Sequence, residues 1–323
     1  MPLETDAVLD RRLLRRKVTF WRALSIFAVI VAVAVAGLAG AQRFGWVAPL
    51  QHVARVEVKG VITQNANLVR TIEALGRNRN VRAVIVTIDS PGGTVAGSEA
   101  LYTAIRTVAA AKPTVAVVEG TAASGGYIAA IGTDHIVTRE TSIAGSIGVV
   151  AQFPNVVRLL DTIGVRVEAV RSSPLKAMPS GVEPTSPEAL AALREIITDS
   201  YDWFQRIVKE RRGLTDEQLR IVADGRVFVG RRALDLRLTD QIGGEPEARA
   251  WLATKGVPAT MRVQLHRPAS DTNLSWLRSI SGSLAEAAGL ADWAERIRSS
   301  ALATQIERSS LDGLLALWQP PTP

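Results

Sequence analysis

The 323-residue sequence has no cysteine, three histidines and only six lysines beside 32 arginines. The absence of cysteine excludes disulfide scaffolds, thiol catalysis, zinc fingers and iron–sulfur clusters. His52, His135 and His266 stand singly, without HxxxH or HxH spacing, so we expect no histidine-based metal site. Acid–base chemistry in this protein must therefore use carboxylates or one of the few lysines.

The net charge of +7 is distributed unevenly along the chain. Residues 1–22 hold six basic and three acidic side chains, so three of the seven net charges lie in this short segment. A nucleic-acid-binding domain carries its basic excess as a patch or stripe on the folded surface. The local excess therefore argues against a nucleic-acid partner.

An apolar run follows the basic segment. Residues 23–42 contain no charged side chain, and twenty helical residues cross a hydrocarbon core about 30 Å thick. We predict a cytoplasmic basic segment (1–22) and a transmembrane anchor (23–42), with the rest of the chain on the far side by the positive-inside bias. A buried core helix and a cleaved signal peptide ending near Ala39-Gly40-Ala41 remain alternatives, although the run is long for a signal peptide.

Beyond residue 43 the pattern is α/β. Alternating or β-branched runs predict strands at residues 53–62, 81–88, 114–119, 134–138 and 165–170. Helices are predicted at 68–75, 98–111, 125–131 and 187–212, the last with Ser186 as its N-cap. Strands separated by helices favour βαβ units with right-handed crossovers.

Two glycine-rich joins could carry chemistry. Residues 89–94 (DSPGGT) follow a predicted buried strand; paired glycines there suit either an ordinary tight turn or close approach of backbone N–H groups to an oxyanion. In residues 120–127 (GTAASGGY) Ser124 has tiny neighbours. Ser124 is either a helix N-cap or a nucleophile whose following N–H points at the same substrate.

A nucleophilic serine needs a base. His135 is expected to be exposed at the start of a strand. Five of the six lysines lie in the cytoplasmic segment, in strands or in polar surface turns. Lys176 lies in RSSPLKAMP, among small and apolar residues. Such surroundings favour the neutral amine that a general base requires, although a solvated loop lysine is the alternative.

The order of these motifs resembles the S49 serine peptidases, and within them the short-form bacterial signal peptide peptidase A group. The resemblance covers roughly residues 50–250 and rests on a series of ordered motifs. They are VEVKGVI (56–62), DSPGG (89–93), AASGGY (122–127), IAGSIGVV (143–150), SSPLKAMPS (172–180) and DGRVFVGRRAL (224–234). It implies a ClpP/crotonase-like α/β fold of repeated ββα/βαβ units, here assigned to a peptidase domain over residues 43–260.

The resemblance also implies roles for particular residues. Ser124 would be the nucleophile and Lys176 the general base of a Ser–Lys dyad. Gly93 and Gly125 would offer oxyanion-hole N–H groups, and the Ser146 hydroxyl would orient the Lys176 amine. No cofactor and no metal are implied.

The implied activity is that of an endopeptidase on hydrophobic peptides, chiefly remnant signal peptides. It would be anchored in the bacterial inner membrane by a single pass, with a cytoplasmic N-terminus and the catalytic domain on the periplasmic side. Short relatives form ring-like homo-oligomers, with octamers expected, in which the dyad is completed within one subunit or between neighbours. A catalytically silent scaffold or peptide-binding module is the alternative; an acyl-CoA crotonase-type enzyme fits an exported domain poorly.

Two regions depart from or lie outside the resemblance. The family's usual Gly-Leu-Val-Asp stands here as Arg237-Leu238-Thr239-Asp240, which leaves the geometry of that turn open. The tail, residues 261–323, has amphipathic stretches rich in Ser, Ala and Arg. It could lie on a membrane, cover a neighbouring subunit or be partly disordered.

Overall fold

The computed structural model describes residues 20–33, 50–268 and 315–317. Residues 20–33 form a helix, α1, in a compact unit (Met1–Leu50) separate from the unit that holds the rest (Gln51–Pro323). In these described ranges, no helix combines the length and apolarity needed to cross a bilayer. Much of the predicted anchor and of the basic segment lies outside the described residues, so both stay predictions.

The larger unit alternates strands and helices, as the sequence predicts. Its strands are β1 (His52–Ile62), β2 (Val81–Thr94), β3 (Thr114–Ala123), β4 (His135–Thr138), β5 (Ile143–Gly145), β6 (Val227–Val229), β7 (Gln241–Ile242), β8 (Val263–Leu265) and β9 (Leu315–Leu317). Its helices are α2 (Ala66–Arg77), α3 (Val95–Ala109), α4 (Gly125–Ile131), α5 (Val157–Thr162), α6 (Pro187–Arg212), α7 (Asp216–Val222), α8 (Gly230–Asp235) and α9 (Glu245–Thr254).

The strands form one mixed sheet in the order β6-β5-β3-β2-β1-β8. All pairings in that path are parallel except β5 with β6. Strand β3 changes partner along its length: residues 115–118 pair with β4, and residues 121–123 pair with β5. Ala122 also stays paired with Ser90 of β2, so the end of β3 lies between β2 and β5, and the segment that follows it carries Ser124.

The sheet is buried on both faces, as its β-branched strands predict. Successive side chains of β2 point to opposite faces: Val84 and Val86 join the cluster that packs beneath α3, α4 and α6, whereas Ala83 and Ile85 join the cluster beneath α9. The long helix α6 has the predicted bounds, with Ser186 accepting from the Ala189 N–H at 3.1 Å and Phe204 fully buried. Its C-terminal half is the part that enters the core, where Ile207 and Val208 are also buried, whereas Leu190 near its start is exposed.

Two predicted elements differ in the structure. Residues 165–170 form no strand; they lack regular secondary structure and are exposed. Their alternation of apolar and polar residues is typical of a strand, but a strand also needs a partner edge, and none pairs with these residues in the described chain. The glycine-rich residues 89–94 are not a turn but the last part of β2, so α3 begins at Val95, capped by Thr94, rather than at Ser98.

Candidate active site

The end of β2 is held tightly against β1. Ile62 pairs with Gly93, and a Cβ added at Gly93 would lie 1.8 Å from the Ile62 carbonyl oxygen. The Ser90 hydroxyl donates to the Gly60 carbonyl at 2.6 Å and accepts from the Gly92 N–H at 3.1 Å. Glycine at 93 is therefore required by the close approach of a neighbouring strand.

Ser124 joins β3 to α4 with a strained backbone. Its φ of 50° and ψ of −114° are unusual for a residue with a side chain. Its N–H donates to the Gly145 carbonyl at 2.7 Å, and its carbonyl accepts from the Ile128 N–H at 2.9 Å. A sharp strand-to-helix turn of this kind is typical of serine nucleophiles.

The Ser124 side chain does not cap α4. It makes no capping hydrogen bond, it is 1% exposed, and its hydroxyl donates to the Gly148 carbonyl over a long 3.4 Å. The simple N-cap interpretation is therefore wrong, because an N-cap hydroxyl accepts from the first turn of its helix.

The two glycine-rich joins meet directly. A Cβ added at Gly126 would lie 2.6 Å from the Ser90 carbonyl oxygen, so the turn after Ser124 packs against the end of β2. Sequence patterns single out both joins, but the need for glycine at 126 appears only in the structure.

Ser146 lies beside Ser124 because β5 pairs with the end of β3, with Ala123 opposite Gly145. Ser146 also has a positive φ, 52°, and its N–H donates to the Arg226 carbonyl at 2.8 Å. It is 8% exposed. The sheet thus brings Ser124, Gly125 and Ser146 together, with Gly93 on the adjoining end of β2.

Lys176 lies apart from this group. It belongs to residues 165–180, here called the lysine loop, and its side chain is exposed. Within the described residues the Lys176 amine makes no hydrogen bond to Ser124 or Ser146, whereas its backbone N–H donates to the Ser173 carbonyl at 3.1 Å. In the described chain alone, the two halves of the predicted dyad are therefore not hydrogen-bonded, one being buried and the other exposed.

The ends of the lysine loop are nevertheless held. The Val156 N–H donates to the Gly181 carbonyl at 2.8 Å, and Arg171 donates to Glu183 at 2.6 Å. The hydrogen bond from Arg171 lowers the pKa of the Glu183 carboxyl. These contacts hold the loop at its base, while residues 172–177 are exposed.

His135 takes no part in the site. Its ring stacks on Trp251 at 4.7 Å, and its Nε2 lies 3.2 Å from the Gln241 amide oxygen. The expectation that His135 is exposed is wrong: its side chain is 15% exposed, because Gln241 of β7 and Trp251 of α9 cover it. Across the described ranges, no group of three or more His, Cys, Asp or Glu side chains could hold a metal ion.

A polar cluster behind α4 was not predicted from the sequence. The Tyr127 hydroxyl donates to the Leu238 carbonyl at 2.8 Å, and burial raises the pKa of that phenol far above its ordinary value. Arg212 binds both carboxylate oxygens of Asp240, at 2.6 and 3.1 Å. The turn at residues 237–240, where the family's usual glycine is replaced by arginine, keeps a glycine-like backbone, because Arg237 adopts a φ of 60°.

Comparison with known proteins agrees with this geometry. A family model described as peptidase family S49 matches residues 106–257, and one described as Clp protease matches residues 48–143. The mixed sheet and the second match show an α/β ClpP-like fold, which confirms the predicted fold class for the described domain.

Individual relatives cover different shares of the chain. A candidate protease of Synechocystis sp. is 39% identical over 209 residues, which is 63% of this chain and 74% of that protein. A candidate signal peptide peptidase SppA of Enterococcus faecium is 30% identical over 183 residues, 56% of this chain and 53% of that protein. A solved membrane-bound stomatin-specific protease covers 68% of this chain and 99% of its own, with a TM-score of 0.43 and 13% identity. The chain belongs to peptidase family S49, a family of serine peptidases.

Proposed function

We propose that this chain is a membrane-anchored serine endopeptidase in which Ser124 is the nucleophile and Lys176 the general base. Its substrates are extended hydrophobic peptides, chiefly remnant signal peptides. The observation that carries the proposal is the buried, strained Ser124 at the meeting point of β2, β3 and β5.

The strained turn supports a nucleophilic role for Ser124. A positive φ at a residue other than glycine costs about 1–2 kcal/mol, and such strain persists where the surrounding structure over-determines it. Here Gly145 and Ile128 hydrogen-bond both backbone groups of Ser124. The fold therefore keeps one serine in an orientation that serves no capping function.

The reaction has two halves. The Ser124 oxygen bonds to the substrate carbonyl carbon while its proton moves to the neutral Lys176 amine. The carbon–nitrogen bond of the substrate then breaks, and Lys176 returns the proton to the leaving amine. Water, deprotonated by Lys176, attacks the acyl-enzyme carbonyl and releases Ser124 with its proton restored.

Backbone donors would stabilise the oxyanion formed at each step. Gly93 and Gly125 are the proposed donors because Gly93 lies at the end of β2 and Gly125 follows Ser124, and the turn after Ser124 packs against that end of β2. Fixed N–H groups need no reorganisation as charge develops, and losing one donor costs about 3 kcal/mol. Ser146, on the neighbouring strand end, would accept from the Lys176 amine and fix its direction.

Assembly would bury Lys176. Apolar side chains on and before the lysine loop are exposed: Leu159, Ile163, Val165, Val167, Val170 and Leu175. Several large apolar side chains exposed within one short segment are typical of a protein–protein interface. We infer a homo-oligomer, an octamer by the family resemblance, whose packing encloses the Lys176 amine and favours its neutral form.

The location follows from the sequence alone. The uncharged run at residues 23–42 and the arginines before it support a single-pass anchor in the bacterial inner membrane with the peptidase domain on the periplasmic side. An anchored peptidase would meet signal peptides left in the same membrane.

The direct test uses the full chain in detergent with a quenched hydrophobic peptide. Ser124→Ala and Lys176→Ala should each reduce kcat by at least about a thousandfold. Ser200→Ala and Lys209→Ala, on the outer part of α6, are matched controls and should keep full activity. Full activity in either dyad variant, with unchanged circular dichroism, would overturn the assignment.

Mixing the two inactive variants tests whether neighbours share the dyad. If serine and lysine come from adjacent subunits, co-expressed Ser124→Ala and Lys176→Ala chains should recover about a quarter of the activity, since a quarter of the interfaces in a heterologous ring pair two intact groups. If each subunit is self-contained, mixing recovers none.

A further inference from the structure

The end of β2 has one edge that the main domain leaves unpaired. On one side, Gly92 and Gly93 pair with β1. On the other side, the pairing with β3 ends at Ser90 opposite Ala122. Within residues 50–268, the edge of residues 92–94 that borders the Ser124 turn therefore has no strand partner.

A short segment near the C-terminus of the chain fills this edge. Strand β9 runs antiparallel to β2, with Leu315 opposite Thr94, Ala316 opposite Gly93 and Leu317 opposite Gly92. The backbone of β9 therefore lies against the strand end that carries a proposed oxyanion donor.

The filled edge has the form of a peptide-binding site. Extended peptides bind enzymes and receptors by adding a strand to a free sheet edge, with backbone hydrogen bonds supplying affinity. The segment from Gly313 to Pro323 has no charged residue and contains Leu-Leu-Ala-Leu-Trp. It therefore belongs to the same chemical class as the apolar peptides proposed as substrates.

We propose that residues 315–317 are an intramolecular occupant of the substrate-binding edge, so that the C-terminal segment of the chain competes with peptide substrates for the site beside Ser124. This inference rests on the proposed function, since it identifies the occupied edge with the substrate edge. A tethered segment competes at an effective concentration in the millimolar range, so it raises KM for free peptides without altering kcat.

The first test removes the occupant. A chain ending at Leu314 should show a KM about tenfold lower than the full chain, with kcat unchanged. Ala316→Pro should have a similar effect, because proline stiffens the paired backbone and removes an N–H. Gln319→Pro, beyond the paired residues, is the matched control and should leave KM unaltered. An unchanged KM in both the truncated chain and Ala316→Pro would overturn the proposal.

The second test measures binding without catalysis, so that its outcome is separate from that of the proposed function. A fluorescent peptide of residues 311–323 is titrated onto Ser124→Ala chains, either full-length or ending at Leu314. We expect the truncated chain to bind at least about tenfold more tightly than the full chain. Equal affinity of the two chains would overturn the proposal that residues 315–317 occupy the substrate edge. Cleavage of the wild-type chain within these residues, seen by mass spectrometry, would also overturn it, even if the peptidase assay succeeds.

Discussion

The two halves of the proposed dyad stand in opposite surroundings. Ser124 is 1% exposed, and both its backbone N–H and its carbonyl are hydrogen-bonded. The turn that follows it packs against the end of β2. Lys176 is exposed in a loop without regular structure that is held only at its base. The domain alone therefore fixes the proposed nucleophile and leaves the proposed base in solvent, so under the proposed mechanism an unassembled chain would be inactive.

The largest expected effect on stability is at a glycine beside Ser124, compared with a glycine beside the lysine loop. Gly126→Ala should lower the free energy of unfolding by about 2–3 kcal/mol, because the new methyl group would meet the Ser90 backbone at 2.6 Å. Gly164, just before the lysine loop, has a φ of 72°, but the Cβ that Gly164→Ala would add meets no atom within 4 Å. This substitution should lower the free energy of unfolding by only about 1 kcal/mol.

Urea unfolding followed by circular dichroism measures both values. Equal losses for the two variants would show that the nucleophile turn is no more tightly packed than the lysine loop, contrary to the comparison above.

A smaller effect is expected from charge on the lysine loop. The double variant Val167→Asp/Val170→Asp should lower peptidase activity more than tenfold and shift the oligomer toward monomer, because it places carboxylates on the proposed apolar interface. Light scattering after gel filtration measures the assembly. The stability of the monomer should change by less than about 0.5 kcal/mol, since both side chains are exposed.

Ile221→Asp offers a matched exposed apolar position on α7 and should alter neither assembly nor activity. Full assembly and activity in the loop variant would instead show that Lys176 is enclosed by movement within one chain.

The smallest expected effect is at Arg237, which stands where the family usually has the glycine of its Gly-Leu-Val-Asp turn. Arg237→Gly should raise the free energy of unfolding by about 0.5 kcal/mol, because glycine adopts a φ of 60° without the steric cost that arginine bears. Arg232→Gly, inside the neighbouring helix α8, is the control and should lower stability by about 1 kcal/mol. A loss of stability in Arg237→Gly would mean that the arginine side chain contributes more than its backbone strain costs.

Local signals predicted much of the fold. Helix α6 has the bounds that Ser186 and the apolar period indicate, and α4 likewise has its predicted bounds. Residues 165–170 show where such signals fail: an alternating pattern is compatible with a strand, but only a partner edge makes one. His135 was misjudged for a related reason, because Trp251 lies more than a hundred residues away in sequence.

Sequence signals likewise predicted some residues of the candidate site and not others. Small residues around Ser124 and the ordered motifs predicted a nucleophile at Ser124, glycine donors at 93 and 125, and an orienting role for Ser146. The structure places these four residues on adjoining strand ends, and their roles stay proposals. The assignment of Lys176 rests on its sequence surroundings and the family resemblance, and it stays a prediction. The cluster of Tyr127, Arg212 and Asp240 had no local signal, since its members meet only through the packing of α6 on α4.

The sequence by itself determined which residue types are available for catalysis, the order of strands and helices from β1 to β4, and the family, because composition, periodicity and motifs are local properties of a chain. The tertiary structure decided where β3 changes partner, why residue 93 must be glycine, that Arg237 adopts a glycine-like backbone, and that residues 315–317 pair beside the site. These features depend on contacts between segments far apart in sequence, and the free energy of such contacts is set by which surfaces meet on folding.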